Sequence, residues 1–159
     1  VNTGGNTNNF PTLESALAIY QNIGNPGKLT LATRVGITHN FTDDFEFYQA
    51  ATLGGNGLQP NLRGFRRDRF SGQTAFYQNI DLRLKIFNLK TKALPLSIGV
   101  FGGFDYGRVW FEGEDSDKWH TAVGGGLFFA PFDILALRVS YFRGDGEVNR
   151  FIVGGGFFF

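Results

Sequence analysis

The chain has no cysteine and no methionine, and its 159 residues include only two histidines. Without cysteine there is no disulfide scaffold, no thiolate metal site and no cysteine nucleophile. Charge is scarce as well: charged residues make up 18% of the chain against an ordinary ~25%, and the formal net charge is +1. So small a charge supplies no broad basic field for phosphate backbones, and a generic nucleic-acid partner is excluded. No stretch approaches the roughly 18 consecutive apolar residues of a transmembrane helix. The opening Val1-Asn2-Thr3-Gly4-Gly5 has neither an initiator Met nor the basic and apolar regions of a signal peptide, and reads as the start of a processed chain or of a piece of a longer one.

What is abundant is glycine, with 23 residues or roughly twice ordinary usage, and phenylalanine, with 19. Glycine inside a helix costs about 1 kcal/mol relative to alanine, whereas phenylalanine suits a pleated, half-exposed surface. The composition therefore predicts an all-β fold.

Alternation along the chain agrees. After a Gly/Asn/Thr-rich loop over 1–9, Leu13, Leu17 and Ile19 recur on odd positions, and Gly24-Asn25-Pro26-Gly27 supplies a turn. Leu29, Leu31, Val35 and Ile37 then oppose Thr30, Ala32, Arg34 and Gly36, completing a hairpin. Residues 42–72 break the pattern with Gly54-Gly55-Asn56-Gly57, Pro60 and the basic cluster Arg63, Arg66, Arg67 and Arg69; so long a connection reads as a functional or disordered loop. From Gln73 the alternation returns, with Ile80, Leu82, Leu84 and Ile86 opposite Asn79, Asp81, Arg83 and Lys85. Ile98, Val100, Phe104 and Tyr106 oppose Ser97, Gly99, Gly103, Asp105 and Gly107; the run Trp119–Phe132 is glycine-rich and ambiguous in face. Leu135, Leu137, Val139 and Tyr141 oppose Ala136, Arg138 and Ser140, and the chain closes with Phe151–Phe159. Seven candidate strands result, with no helix.

In a soluble sandwich the apolar face looks inward; in a transmembrane barrel the same alternation is inverted, with apolar residues toward lipid and small or charged ones toward the lumen. Alternation alone does not choose between them. Three features favour the barrel. Several runs reach the roughly 9–11 residues needed to cross a bilayer. Glycine is concentrated within the strands, where it relieves crowding in a curved sheet. Aromatics gather near run ends at Tyr20, Tyr106, Trp110, Trp119, Tyr141 and Phe142, as interfacial girdles require.

Asn61-Leu62-Arg63-Gly64-Phe65, together with Phe104-Asp105-Tyr106-Gly107-Arg108-Val109-Trp110 further along, resembles the C-terminal barrel (bacterial surface antigen domain) of the outer-membrane assembly and translocation family that includes BamA, TamA and FhaC. That family carries a Val/Ile-Arg-Gly-Phe/Tyr motif at the tip of a loop folded back into the barrel, and a Phe-x-Asp-x-Gly motif on a later strand. Here Leu62 replaces the β-branched residue, and Gly103 stands where the first Phe of the second motif would be. Phe45-Glu46-Phe47-Tyr48-Gln49 followed by Gly54-Gly55 is similar to the segment leading into the loop, and Asn79-Ile80-Asp81-Leu82 to the next strand, which in relatives carries an inward acid. The terminal Phe157-Phe158-Phe159 looks like an outer-membrane insertion signal, with Ile152 at a position often polar. The resemblance spans about residues 28–159.

The resemblance implies that residues 1–159 are the C-terminal segment of a sixteen-strand antiparallel transmembrane barrel in the bacterial outer membrane, with 42–72 folded inward as the loop. It implies a non-enzymatic role in inserting or translocating proteins, with Phe151–Phe159 at a lateral seam. Its partners would be outer-membrane lipid and lipopolysaccharide, the missing N-terminal strands, and periplasmic lipoproteins or substrate β-barrel proteins. Two alternatives are a barrel anchoring an upstream patatin-like lipase or metallophosphatase, and a small self-contained barrel of the OmpA or OmpX type. On the physical reading, Asp81 and Asp105 both fall on lumen-side faces, within reach of an arginine on a threaded loop; a guanidinium fork suits bridging two carboxylates. Arg63 is therefore expected to pair with Asp81 or Asp105 and lock the loop without performing chemistry.

The remaining features carry bland readings. Arg66, Arg67 and Arg69 read as a solvated loop, His39 and His120 as structural or interfacial, and Glu112, Glu114, Asp115 and Asp117 as an exposed acidic connection. Asn40-Phe41-Thr42 matches a glycosylation sequon that an outer-membrane protein would rarely present to that machinery, and neither triple-glycine run has the setting of a nucleotide loop. No catalytic constellation, metal centre or cofactor is expected.

Overall fold

A computed structural model describes residues 11–25, 27–41, 50–55, 60–89, 95–111, 117–132 and 135–156. Among them are nine strands and no helix: β1 (Thr12–Asn22), β2 (Leu29–Asn40), β3 (Ala51–Leu53), β4 (Phe70–Gly72), β5 (Thr74–Leu89), β6 (Leu96–Trp110), β7 (His120–Pro131), β8 (Ala136–Gly144) and β9 (Arg150–Gly156). Seven form one sheet in the order β1-β2-β5-β6-β7-β8-β9, and β3-β4 form a separate two-stranded ribbon. Every pairing is antiparallel. The sheet is open, because β1 and β9 are its two edges and do not pair with each other.

The β1–β2 hairpin follows from local chemistry. Gly24 and Gly27 both take positive φ, which lets the chain reverse between β1 and β2, and the Ile23 amide bonds the Leu29 carbonyl at 2.9 Å. Along β5 the register shifts between Lys85 and Phe87, a bulge that leaves Ile86 and Phe87 both exposed.

The two faces differ in a way that period 2 dictates. One carries exposed Leu17, Ile37, Leu82, Leu84, Val123, Leu127, Leu137, Tyr141 and Val153. The opposite, inner face carries the buried Arg34, Asn79, Asp81, Asp105, Arg138 and Ser140. The register settles the face of β7 that its glycines left open, since Gly124 pairs between Gly103 and Phe142 and so lies on the inner side. A small apolar core sits on this face, built from Leu53, Leu62 and Phe65 of the 51–65 segment and Ala75, Phe101, Ala122, Phe128 and Phe142 of the sheet.

Two sequence expectations need correction. The segment 42–72 is not wholly loop, because Ala51–Leu53 pairs with Phe70–Gly72; three-residue strands are too short to show alternation. Tyr20 and Phe142 are not girdle residues. Tyr20 pairs with the buried Ala32 and has Arg83 over its ring, and Phe142 is fully buried on the inner face. The parts of 42–72 at 42–49 and 56–59, and the terminal Phe157 and Phe159, lie outside the described residues.

Candidate functional site

Residues 60–66 lie across the inner face of the sheet. The ribbon closes their ends: the Gly54 amide donates to Asn61 Oδ1 and Asn61 Nδ2 to the Thr52 carbonyl, both at 2.8 Å, while the Gly55 amide bonds the Arg66 carbonyl at 3.2 Å. The sheet holds the segment's backbone directly. Asn79 Nδ2 on β5 donates to the Asn61 carbonyl at 2.9 Å, and Arg34 Nη2 on β2 to the Pro60 carbonyl at 2.7 Å. At the apex Gly64 has φ +87°, and a Cβ there would stand 2.7 Å from the Gly144 amide of β8. Both the left-handed backbone and the close approach demand glycine. Leu62 and Phe65 on either side are buried in the apolar core.

Between them, Arg63 reaches the floor of the face and meets both carboxylates. Its Nη2 stands 2.7 Å from Asp81 Oδ1 and 2.5 Å from Asp105 Oδ1, and its Nε donates to Asp105 Oδ2 at 2.8 Å. The Arg63 backbone amide also donates to Asp105 Oδ2, at 2.9 Å, so one carboxylate fixes side chain and main chain together. Arg83 Nη2 takes the outer oxygen of Asp81 at 3.2 Å. Both aspartates are 0% exposed and Arg63 is 4% exposed. Burial on its own would weaken the protonated form of Arg63; the hydrogen bond and charge of Asp105, then those of Asp81, more than reverse this and hold it above its ordinary range. Desolvating such a cluster offsets much of its attraction, but removing one partner strands the others and costs about 3–5 kcal/mol.

Not every residue of the sequence motifs belongs to this site. Gly107 faces inward, where a Cβ would meet the Phe76 carbonyl at 2.8 Å and Leu53 Cδ1 at 3.0 Å, but Phe104 is exposed on the other face. Two site residues escape a sequence reading. The Phe142 ring lies beneath the Arg63 guanidinium, 4.2 Å from its carbon to the ring centroid. A Cβ at Gly103 would stand 2.7 Å from Asp81 Oδ1, 2.8 Å from Phe142 Cζ and 2.9 Å from Arg63 Nη2, so glycine there makes the room in which the ion pairs sit. Parity with Arg138 and Ser140 is the available signal for Phe142; Gly103 shows in the sequence only as a departure from the second motif, with no sign that its lack of a side chain makes room for the ion pairs.

The basic cluster beyond the apex is only partly a solvated surface. Arg69 Nε donates to Glu147 Oε1 of the β8–β9 connection at 2.6 Å, and Arg66 Nε stands 3.8 Å from Oε2 of the same carboxylate, whereas Arg67 is exposed. His120 stacks on Phe70 at 3.5 Å, tying β7 to β4, and His39 shares a hydrogen bond with Thr74 Oγ1 at 2.7 Å. Arg108 pairs with the exposed Asp117 at 2.7 Å, while Glu112, Glu114 and Asp115 lie outside the described residues. Among the described residues no three His, Cys, Asp or Glu side chains converge as metal ligands. With both central carboxylates enclosed and hydrogen-bonded, the physical effect of this arrangement is to clamp residues 60–66 against four strands, β2, β5, β6 and β8. No protein-family model, curated protein or solved structure matches the chain.

Proposed function

We propose that the chain is part of an outer-membrane β-barrel of the BamA-like superfamily, acting in the insertion or translocation of proteins at the bacterial outer membrane. One observation carries the reading: an Arg-Gly-Phe apex folded onto the charged inner face of an antiparallel sheet, with Arg63 held by Asp81 and Asp105, while the opposite face is apolar and exposed. That inversion suits a strand set whose outer side meets hydrocarbon. The open edges of β1 and β9 support continuation into further strands, because unpaired backbone groups are expensive in lipid. They count against a small self-contained barrel, in which those two strands would pair. In this role Arg63 is a structural clamp, lipid and lipopolysaccharide cover the outer face, and β9 is the strand at the seam.

The test uses the full-length protein in its native cell. The expected results are recovery in the outer-membrane fraction, a heat-modifiable gel shift, and loss of other β-barrel proteins from that membrane on depletion. Recovery in a soluble fraction without detergent would overturn the membrane reading. An intact complement of barrel proteins after depletion, with an enzyme domain encoded upstream, would turn the chain into an anchor.

A further inference from the structure

The outer face changes character along its strands. Over most of their length Ile80, Leu82 and Leu84 of β5, Val100 of β6, Leu127 of β7 and Leu137 of β8 keep it apolar. Toward the end where β7 begins stand Gln78, Tyr106 and Thr121, and then Arg108 and Arg143. Among the described residues these two cations are the only charges on the outward side of β5–β8. Arg108 is paired with Asp117 and lies 5.0 Å from the centroid of Trp110. Arg143 is exposed and makes no hydrogen bond or ion pair with any described residue.

Arg143 stands opposite Val123, which on its other side pairs with Phe104. These three and Thr121 line a hollow of about 210 Å³, whose one acid is Asp145. From Phe104 a run of ring contacts leads toward the strand ends: Phe104 to Tyr106 at 6.1 Å, Tyr106 to Trp119 at 5.6 Å and Trp119 to Trp110 at 6.2 Å. The Tyr106 hydroxyl donates to Gln78 Oε1. Tyrosine and tryptophan rings, apolar with one polar tip, favour the boundary between hydrocarbon and water.

We propose that this hollow seats one lipid with an anionic phosphate headgroup, its acyl chain along Phe104 and Val123 and its phosphate on Arg143. The proposal rests on the membrane reading above. An arginine stem is long enough to lie along apolar surface while the guanidinium reaches the headgroup level. Its planar fork takes two phosphate oxygens at once, and its charge on an apolar face calls for a ligand that brings both a hydrocarbon chain and a counter-charge. A phosphocholine headgroup brings its own cation and has no net charge to offer.

The experiment reconstitutes the full-length protein in phosphatidylcholine vesicles doped with brominated phosphatidylglycerol or brominated phosphatidylcholine. Trp119 reports on the hollow through its contact with Tyr106, and its emission is the part that Trp119→Phe removes. Brominated phosphatidylglycerol should quench it with about fivefold preference. The preference should be lost in Arg143→Gln and kept in Arg143→Lys and in Arg67→Gln, which removes the same charge from an exposed position elsewhere. Equal quenching by the two lipids, or a preference that survives Arg143→Gln, overturns the site and leaves the membrane reading standing. A preference abolished by inorganic phosphate at constant ionic strength also overturns it, since the site would then take free phosphate. Quenching by neither lipid overturns the membrane reading, and the lipid site with it.

Discussion

The Arg63 guanidinium lies over the ring of Phe142, 4.2 Å from its centroid, although the two residues belong to elements that share no backbone pairing. The register explains the meeting. Gly103 on β6, Gly124 on β7 and Phe142 on β8 pair in one row across the inner face, so the ring passes two positions without side chains before it reaches the guanidinium. Aromatic support for the cation thus comes from two strands away, through space that the glycines leave.

Phe142→Ala removes a fully buried ring and should cost about 3–5 kcal/mol. Gly103→Ala should also destabilise, since its Cβ would press on Asp81, Phe142 and Arg63 together. Because both changes act on one space, the double variant should lose less than the two losses added. Strictly additive denaturation midpoints would show that the row is not a coupled unit.

Arg63→Ala leaves Asp81 and Asp105 enclosed without their shared cation and should cost about 3–5 kcal/mol. Arg63→Lys should recover little, because an ammonium cannot reproduce the fork that serves both carboxylates. In a thermodynamic cycle with Asp105→Ala, the double variant should be more stable than the single losses predict; additive losses would refute the coupling.

Gly64→Ala and Gly24→Ala place the same methyl group on backbones of similar positive φ, +87° and +70°. At Gly24 the methyl meets nothing within 4 Å, whereas at Gly64 it meets the Gly144 amide at 2.7 Å. Gly24→Ala should therefore cost about 1–2 kcal/mol from backbone strain alone, and Gly64→Ala clearly more. Equal losses in unfolding experiments would remove the close approach as a cause.

Arg69, hydrogen-bonded to Glu147, holds that carboxyl below its ordinary value of 4.5. A folded value lowered in this way contributes stability above the ordinary value, and the contribution disappears as pH falls through the folded one. Amide exchange in β4 and residues 60–69, corrected for intrinsic rates, should therefore accelerate relative to the rest of the sheet between pH ~7 and ~3. Glu147→Gln should show the faster exchange already at neutral pH and little further change. Identical pH profiles in the two proteins would refute the clasp.

The apolar face yields a prediction with opposite signs for its two readings. Lysine at Val123 or Leu127, both exposed on the outer side of β7, should cost about 2–4 kcal/mol near the centre of a bilayer. In a water-facing sheet the same changes should be neutral or improve solubility. Folding into lipid vesicles, compared for wild type and Leu127→Lys, separates them.

Much of the sheet was legible because its side chains declare their faces. Asp81 and Arg83 against Leu82 and Leu84 mark the two sides of β5 without any structure, and Arg34 and Arg138 do the same for β2 and β8. Where glycine replaces side chains the mark vanishes, so the face of β7 is set only by register, with Gly124 paired between Gly103 and Phe142. Phe142 stands near a run end, which points to the girdle, while its parity with Ser140 sets it on the inner face. The ribbon was hidden by its brevity. The Arg69 contact to Glu147 was hidden by distance along the chain, since its partners stand 78 residues apart and neither carries a local pattern.

The clamp also imposes an order of events on folding. Arg63 is separated from Asp81 by 18 residues but from Asp105 by 42. The nearer carboxylate can be met once β5 has formed, whereas the farther one needs the β5–β6 hairpin in register, and Phe142 needs β7 and β8 as well. Closing such loops costs entropy that the contacts must offset, so the Arg-Gly-Phe apex is expected to gain its contacts in stages. Until β8 is in place the segment is held by β5 and β6 but lacks the Phe142 ring beneath Arg63 and the close approach of Gly64 to Gly144.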